Sequence, residues 1–250
     1  MNWRGSSETT STERHYRAGV AEVLVALTRE FGHNEELRAW VGSRAEVVEV
    51  ALTTTTYRTR AEVEHEIRES RNFGRFASLV VTSARAHEFL GLVGTALVGA
   101  PEVFSVGAAT SRALTRSGFD VTVESPGAAS ELAAFITHGP VLVLAARRGR
   151  SELIDELNAR SLEPTLVECY ETHAVELSDE ACGQLARADV VFIGAPSAWR
   201  VARAVVREDA WVLVPGTTTF EEVRAAHDRV LIGWGEEFAL AWARVMATTS

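Results

Sequence analysis

The sequence predicts an α/β fold: two doubly wound parallel-sheet domains joined by a two-stranded linker, the second domain inserted in the first. Three observations predict it. Short continuous apolar runs alternate with helical patterns, as in parallel sheets covered on both faces. Two turns look like copies of one device. Ser105-Val-Gly-Ala-Ala-Thr-Ser-Arg-Ala-Leu114 and Val214-Pro-Gly-Thr-Thr-Thr-Phe-Glu-Glu-Val223 each set Gly-x-x-Thr between an apolar run and a helical pattern. Two extended stretches, 53–57 and 164–174, suit paired strands that cross between the halves.

The elements follow in order. Val23 to Leu27 reads as a buried strand, and Asn34 to Val41 as a helix with Asn34 as its N-cap. Ala45 to Val50 is β-branched and alternating, hence a strand. Thr53 to Tyr57 is the first linker strand, and Glu62 to Ser70 a charged helix. Leu79 to Val81, Val103 to Val106, Phe119 to Val123 and Val141 to Leu144 are strands. Helices fit between and after them at Arg85 to Val93, Thr110 to Ser117, Ser130 to Thr137 and Ser151 to Arg160. Beyond the second linker strand, strands at Val190 to Ile193, Val212 to Val214 and Val230 to Ile232 alternate with four helices. Those helices are Ser178 to Arg187, Ala198 to Val206, Thr219 to Ala226 and Glu236 to Val245. The expected organisation is a disordered tail over 1–19 and a discontinuous first domain over 20–52 and 175–250. Linker strands occupy 53–57 and 164–174, and the second domain 58–163.

Composition excludes several functions. The chain has 250 residues and a net charge of −9. That argues against non-specific nucleic-acid binding, which needs a basic surface to release counterions from phosphate. No apolar run reaches the length of a membrane span, and the N-terminus lacks the pattern of a signal peptide. The expectation is a cytoplasmic monomer. Every basic residue is arginine, so Schiff-base, pyridoxal-phosphate and P-loop lysines are excluded. Cys169 and Cys182 lack metal or redox spacing and read as reduced structural thiols. The scattered histidines form no zinc pattern.

The best candidates for chemistry are the paired turns, Gly107/Thr110 and Gly216-Thr-Thr-Thr219, the latter including Thr218. Gly permits a tight turn or close approach of a ligand, and a helix N-terminus offers N–H groups to an anion. Plain N-caps are the alternative. Thr82 and Ser83 follow a strand, at the sheet edge where open α/β folds bind ligands, or they cap the next helix. Gly194-Ala195-Pro-Ser197 stands at the equivalent place with only Ser197 left as a hydroxyl. Thr28-Arg29 and Arg148-Gly149-Arg150 also follow strands. Arginine forks there bind carboxylate or phosphate, or belong to solvated loops. Tyr170, on the second linker strand, is a proton donor or a half-buried strand residue, and so is Tyr57 on the first.

Taken in order, these segments resemble the uroporphyrinogen-III synthase family. The resemblance is carried by Thr28-Arg29-Glu30, Val80-Val-Thr-Ser-Ala84 and Val106-Gly-Ala-Ala-Thr-Ser-Arg-Ala-Leu114. It continues in Arg148-Gly-Arg-Ser-Glu-Leu153, Glu168-Cys-Tyr-Glu-Thr172, Phe192 to Ala198 and Gly216-Thr-Thr-Thr219, and spans about residues 20–247. The chain departs from the family pattern at Gly194-Ala195, Thr217 and Gly235-Glu236. The resemblance implies two α/β domains with a cleft between them. It implies closure of the linear tetrapyrrole hydroxymethylbilane to uroporphyrinogen III, with inversion of the last ring and loss of water. It also implies no cofactor or metal, Tyr170 assisting loss of the hydroxyl, and substrate carboxylates held by backbone N–H groups and hydroxyls at helix starts. A relative that binds a carboxylated ligand or tetrapyrrole without turnover is the second reading.

Overall fold

The computed structural model describes residues 23–125, 129–147 and 151–249. The chain runs β1 (Leu24–Leu27), α1 (Glu35–Val41), β2 (Glu46–Glu49), β3 (Thr53–Tyr57), α2 (Arg60–Glu69), β4 (Phe76–Val81). A 3-10 segment, Ala84–Phe89, leads into α3 (Leu90–Val93). Next come β5 (Leu97–Val106), α4 (Ala108–Arg116), β6 (Val123–Ser125), α5 (Ala129–Ala133), β7 (Val141–Ala146), α6 (Ser151–Ala159) and β8 (Pro164–Ala174). The last part is α7 (Asp179–Arg187), β9 (Val190–Phe192), α8 (Pro196–Ala202), β10 (Trp211–Val214), α9 (Thr217–Arg224), β11 (Val230–Ile232) and α10 (Phe238–Thr249).

Two sheets result. One has the order β11-β10-β9-β1-β2 with every pairing parallel. The other has the order β3-β8-β7-β4-β5-β6, parallel except for the antiparallel pair β3 and β8. The apolar runs of the sequence are explained by burial on both faces. In β1, Val25 and Leu27 enter one core while Ala26 enters another; in β9, Val190 and Phe192 separate from Val191 in the same way. The second sheet repeats this, with Leu142 and Leu144 in one core and Val141, Val143 and Ala145 in the other. Side chains alternate across a strand, so a strand buried on both faces carries no polar alternation.

One expected strand is displaced, and another has a second role. The strand expected at Phe119 to Val123 lies at Val123–Ser125 instead. Phe119 N–H is taken by Leu114 O at 3.1 Å, which closes the end of α4, and Thr122 Oγ1 accepts from Val103 N–H at 3.0 Å. These bonds hold 119–122 as an irregular segment beside the sheet. β8, read as a linker strand, is also a sheet strand. Its residues from Pro164 to Tyr170 pair with β7, and those from Tyr170 to Ala174 pair with β3.

Local signals set the helix ends. Ser178 Oγ accepts from Ala181 N–H at 3.2 Å and so satisfies a donor at the start of α7. Ser178→Ala is expected to cost about 1 kcal/mol, read as a lower denaturation midpoint with an unchanged slope. Asn34 precedes α1 but makes no side-chain cap. Its amide instead donates to Arg29 O and Glu49 Oε2, which ties the end of β1 to β2.

Candidate functional site

The carboxyl ends of strands from both sheets converge on one cavity of about 560 Å³. From the first sheet come Thr28 and Arg29 after β1, Gly194, Ala195 and Ser197 after β9, Pro215 after β10, and Trp234 and Gly235 after β11. From the second come Arg85, beyond β4, and Gly107, Ala108, Ala109 and Arg112, beyond β5. The linker adds Thr53 and Thr172, and α1 adds Glu36. Ligands of open α/β sheets gather at this strand edge. Here the edges of two sheets meet.

The cavity is cationic in an acidic protein. Three arginines, Arg29, Arg85 and Arg112, face one glutamate, Glu36, which leaves a formal +2 on its walls. Arg29 is half-buried and, among the described residues, makes no ion pair. Burial and then the nearby Arg85 guanidinium push its pKa down, opposed by Glu36, Glu35 and Glu30. Arg85 has only a long contact, 3.8 Å, to Glu30, whose carboxylate also accepts from Thr55 Oγ1. Arg112 is exposed and unpaired among the described residues. Partly desolvated cations left without partners are costly, and an incoming anion relieves that cost. A larger cavity, about 640 Å³, is lined by Glu30, Glu49, Glu176 and Glu180 with no cation, and suits no polyanion.

The expected site residues separate into groups. Thr28, Arg29, Gly107 and Ser197 line the cavity between the sheets. Thr28 is buried and its hydroxyl donates to Phe192 O, so it braces β1 against β9. Gly107 has φ +77 and ψ 148, a conformation that a side chain rarely adopts, and it is the N-cap of α4 with no side-chain cap. The first turn of α4 therefore presents Ala108 and Ala109 to the cavity.

Thr110 is not a cap. It is the third residue of α4, buried, and its hydroxyl donates back to Val106 O at 2.6 Å. Thr219 sits at the same point of α9 and is buried; Gly216 is the N-cap there and Thr218 is exposed. None of these four lines the cavity, although Pro215 beside them does. Thr82 is buried, and its hydroxyl and N–H both turn to Leu144 O. Ser83 Oγ accepts from Arg85 N–H at 3.3 Å and starts the 3-10 segment, so that Arg85, not the hydroxyl pair, reaches the cavity. Arg148, Gly149 and Arg150 lie outside the described residues. Their neighbour Arg147 pairs with Glu171 at 3.2 Å.

Tyr170 is placed by register. β3 and β8 match Thr53 with Ala174, Thr55 with Thr172 and Tyr57 with Tyr170. Opposed residues of an antiparallel pair share a face, and every second residue returns to it. Thr53, Thr55, Tyr57, Tyr170 and Thr172 therefore share one face of the ribbon, and Thr53 and Thr172 line the cavity. Tyr170 lies one step further along that face but does not line this cavity. It is 5% exposed and packed into the second sheet's core with its ring 6.0 Å from that of Tyr57, and the two tyrosines border a separate cavity of about 340 Å³. Burial raises the Tyr57 phenol pKa, and the Arg85 guanidinium opposes the rise. The Cys169 thiol is buried and pushed up to about 12, which keeps it protonated and structural. Among the described residues, no group of three or more His, Cys, Asp or Glu is placed to hold a metal.

Sequence reasoning missed Arg85, Arg112 and Trp234. Arg85 and Arg112 carried a readable signal, since each follows a strand's end within the first turns of the next helical segment.

The family model of uroporphyrinogen-III synthase HemD matches residues 40–232. Among solved structures, a mutant uroporphyrinogen III synthase from the extremely thermophilic bacterium Thermus thermophilus has 13% identity and a TM-score of 0.63 over 90% of this chain and 99% of that one. The uroporphyrinogen-III synthetase of Helicobacter pylori has 15% identity and a TM-score of 0.59 over the same shares. Both likenesses are in fold. No curated protein sequence matches. By the extent of the family match, the chain belongs to the uroporphyrinogen-III synthase family.

Proposed function

We propose that the cleft binds hydroxymethylbilane and closes it to uroporphyrinogen III, inverting the last pyrrole ring and releasing water. The family is one of porphyrin biosynthesis, which makes a lyase-type reaction on a tetrapyrrole the starting point. The observation that carries the reading is the arginine cluster. Arg29, Arg85 and Arg112 line one cavity between two sheets of a chain whose net charge is −9. Overall charge repels a polycarboxylate, so attraction has to be local. Three guanidiniums and the open first turn of α4 supply it.

The chemistry needs positioning more than a strong nucleophile. Loss of hydroxide from the terminal carbinol takes a proton, and the phenol of Tyr170, on the ribbon that brings Thr53 and Thr172 to the cleft, is the proposed donor. The azafulvene left behind is electrophilic. The carbon that attacks it is set by how the rings are held, which is the task of the carboxylate contacts on both walls. Attack through the substituted α-carbon of the last ring gives a spiro-linked pyrrolenine. The bond from that carbon to its original methylene bridge then breaks and re-forms at the ring's free α-carbon, which inverts the ring. The proton used at departure is balanced by the one lost from that free α-carbon when the attacking pyrrole recovers aromaticity.

A binder without turnover remains the second reading, favoured by the deep burial of Tyr170. Complementation separates the two. In a bacterial strain that lacks uroporphyrinogen-III synthase activity, this gene is expected to restore growth without added haem. Expression of folded protein without growth would favour the binder.

A further inference from the structure

Arg29 leaves β1 with a long stem and no ion pair among the described residues, yet its course is defined. The stem passes beside Gly194, where an added Cβ would stand 3.8 Å from Arg29 Cγ. The guanidinium carbon lies over the ring of Trp234, 5.9 Å from its centroid. Trp234 is itself clamped. Trp40 meets it at 6.0 Å with the planes 87° apart, and Phe192 at 6.0 Å and 68°. Trp40 in turn stacks on Phe238 at 5.4 Å. The indole thus has little freedom, and both Arg29 and Trp234 line the cleft.

We propose that Trp234 is a positioning residue for Arg29. The indole holds the guanidinium against the cleft wall so that its free N–H edge takes a carboxylate of the ligand. The proposal rests on the reading of the cleft as a polycarboxylate site and deepens it by naming what orients the cation. The physical reasons are two. A flexible arginine loses side-chain entropy when it binds, and one already held against an aromatic face loses less. The attraction of the ring for the cation also offsets repulsion from Arg85 while no anion is bound. Held at its face, the guanidinium keeps the planar fork that grips a carboxylate through two N–H groups.

A double-mutant cycle tests this with mellitate, the hexacarboxylate of benzene, titrated calorimetrically at fixed salt into wild type, Arg29→Met, Trp234→Leu and the double variant. Trp234→Leu is expected to weaken binding about five- to tenfold, and Trp234→Phe, which keeps an aromatic face, about threefold or less. The double variant is expected to bind no worse than Arg29→Met alone, because the tryptophan acts only through the arginine. Should Trp234→Leu fail to fold, Trp234→Phe takes its place in the cycle. With the guanidinium removed by Arg29→Met, adding Trp234→Phe is expected to change nothing further. Equal affinity in wild type and Trp234→Leu, effects that multiply in the double variant, or no mellitate binding by wild type would each overturn the proposal. Its failure is distinct from that of the enzyme reading. A multiplicative cycle in a protein that makes isomer III removes only the role of Trp234. A closed cycle in a protein without turnover removes only the reaction.

Discussion

Tyr170→Phe is expected to lower turnover of hydroxymethylbilane by about a hundredfold or more, the loss usual when a positioned proton donor is removed. The ring of Tyr170 fills a place in the second sheet's core beside Val167 and Cys169, and phenylalanine keeps that ring. The fold is therefore expected to survive. Single-turnover kinetics check the rate, and affinity for uroporphyrin I, an inert octacarboxylate tetrapyrrole, checks binding. The proposed role requires a fall in rate with affinity retained. An unchanged rate would leave Tyr170 as a core residue, and the second linker tyrosine, Tyr57, would become the better candidate. It stands directly across the ribbon and less buried.

Arg29→Met is expected to act on the other side of the mechanism. A charged hydrogen-bonding partner of a carboxylate contributes about 1.5–3 kcal/mol, so kcat/KM should fall on the order of ten- to hundredfold, largely through KM. The same change removes a half-buried cation that, among the described residues, lacks an ion pair and lies near Arg85. Methionine restores the apolar stem against Gly194 without the charge. The melting temperature is expected to stay level or rise, because an unpaired desolvated charge opposes folding. A drop in both activity and melting temperature would mean that Arg29 serves the fold and not a ligand.

The fold was legible because its elements are marked locally. Parallel strands covered on both faces leave uninterrupted apolar runs such as Val141 to Leu144, and caps such as Ser178 mark helix starts. The double use of β8 was harder to read. A strand whose first half extends a sheet and whose second half forms a ribbon with β3 looks the same in sequence throughout.

The site was legible in part for a physical reason. Sequence shows which residues follow strands but not which way they turn. Thr82 and Thr110 follow strands and look available, yet each hydroxyl bonds a backbone carbonyl next to it. Arg85 and Arg112 sit two or three residues later, where long side chains reach the cavity. Trp234 gives no signal until the topology brings the end of β11 beside the end of β1 across β9 and β10.

The departure at Gly194-Ala195 also takes on a different meaning. Loss of hydroxyls there suggests a weakened wall. In the structure, Gly194 lies against the stem of Arg29, and both line the cavity, so this wall keeps a cation although it lacks hydroxyls.

The most direct measurement of the central claim is the isomer composition of the product. Purified protein is added to freshly generated hydroxymethylbilane, the products are oxidised to uroporphyrins, and the isomers are separated by chromatography. The arginine-lined cleft and its tyrosine ribbon predict mostly isomer III with wild type, and a shift toward isomer I with Arg29→Met and Tyr170→Phe. Isomer I alone, formed no faster than in buffer, would contradict the account.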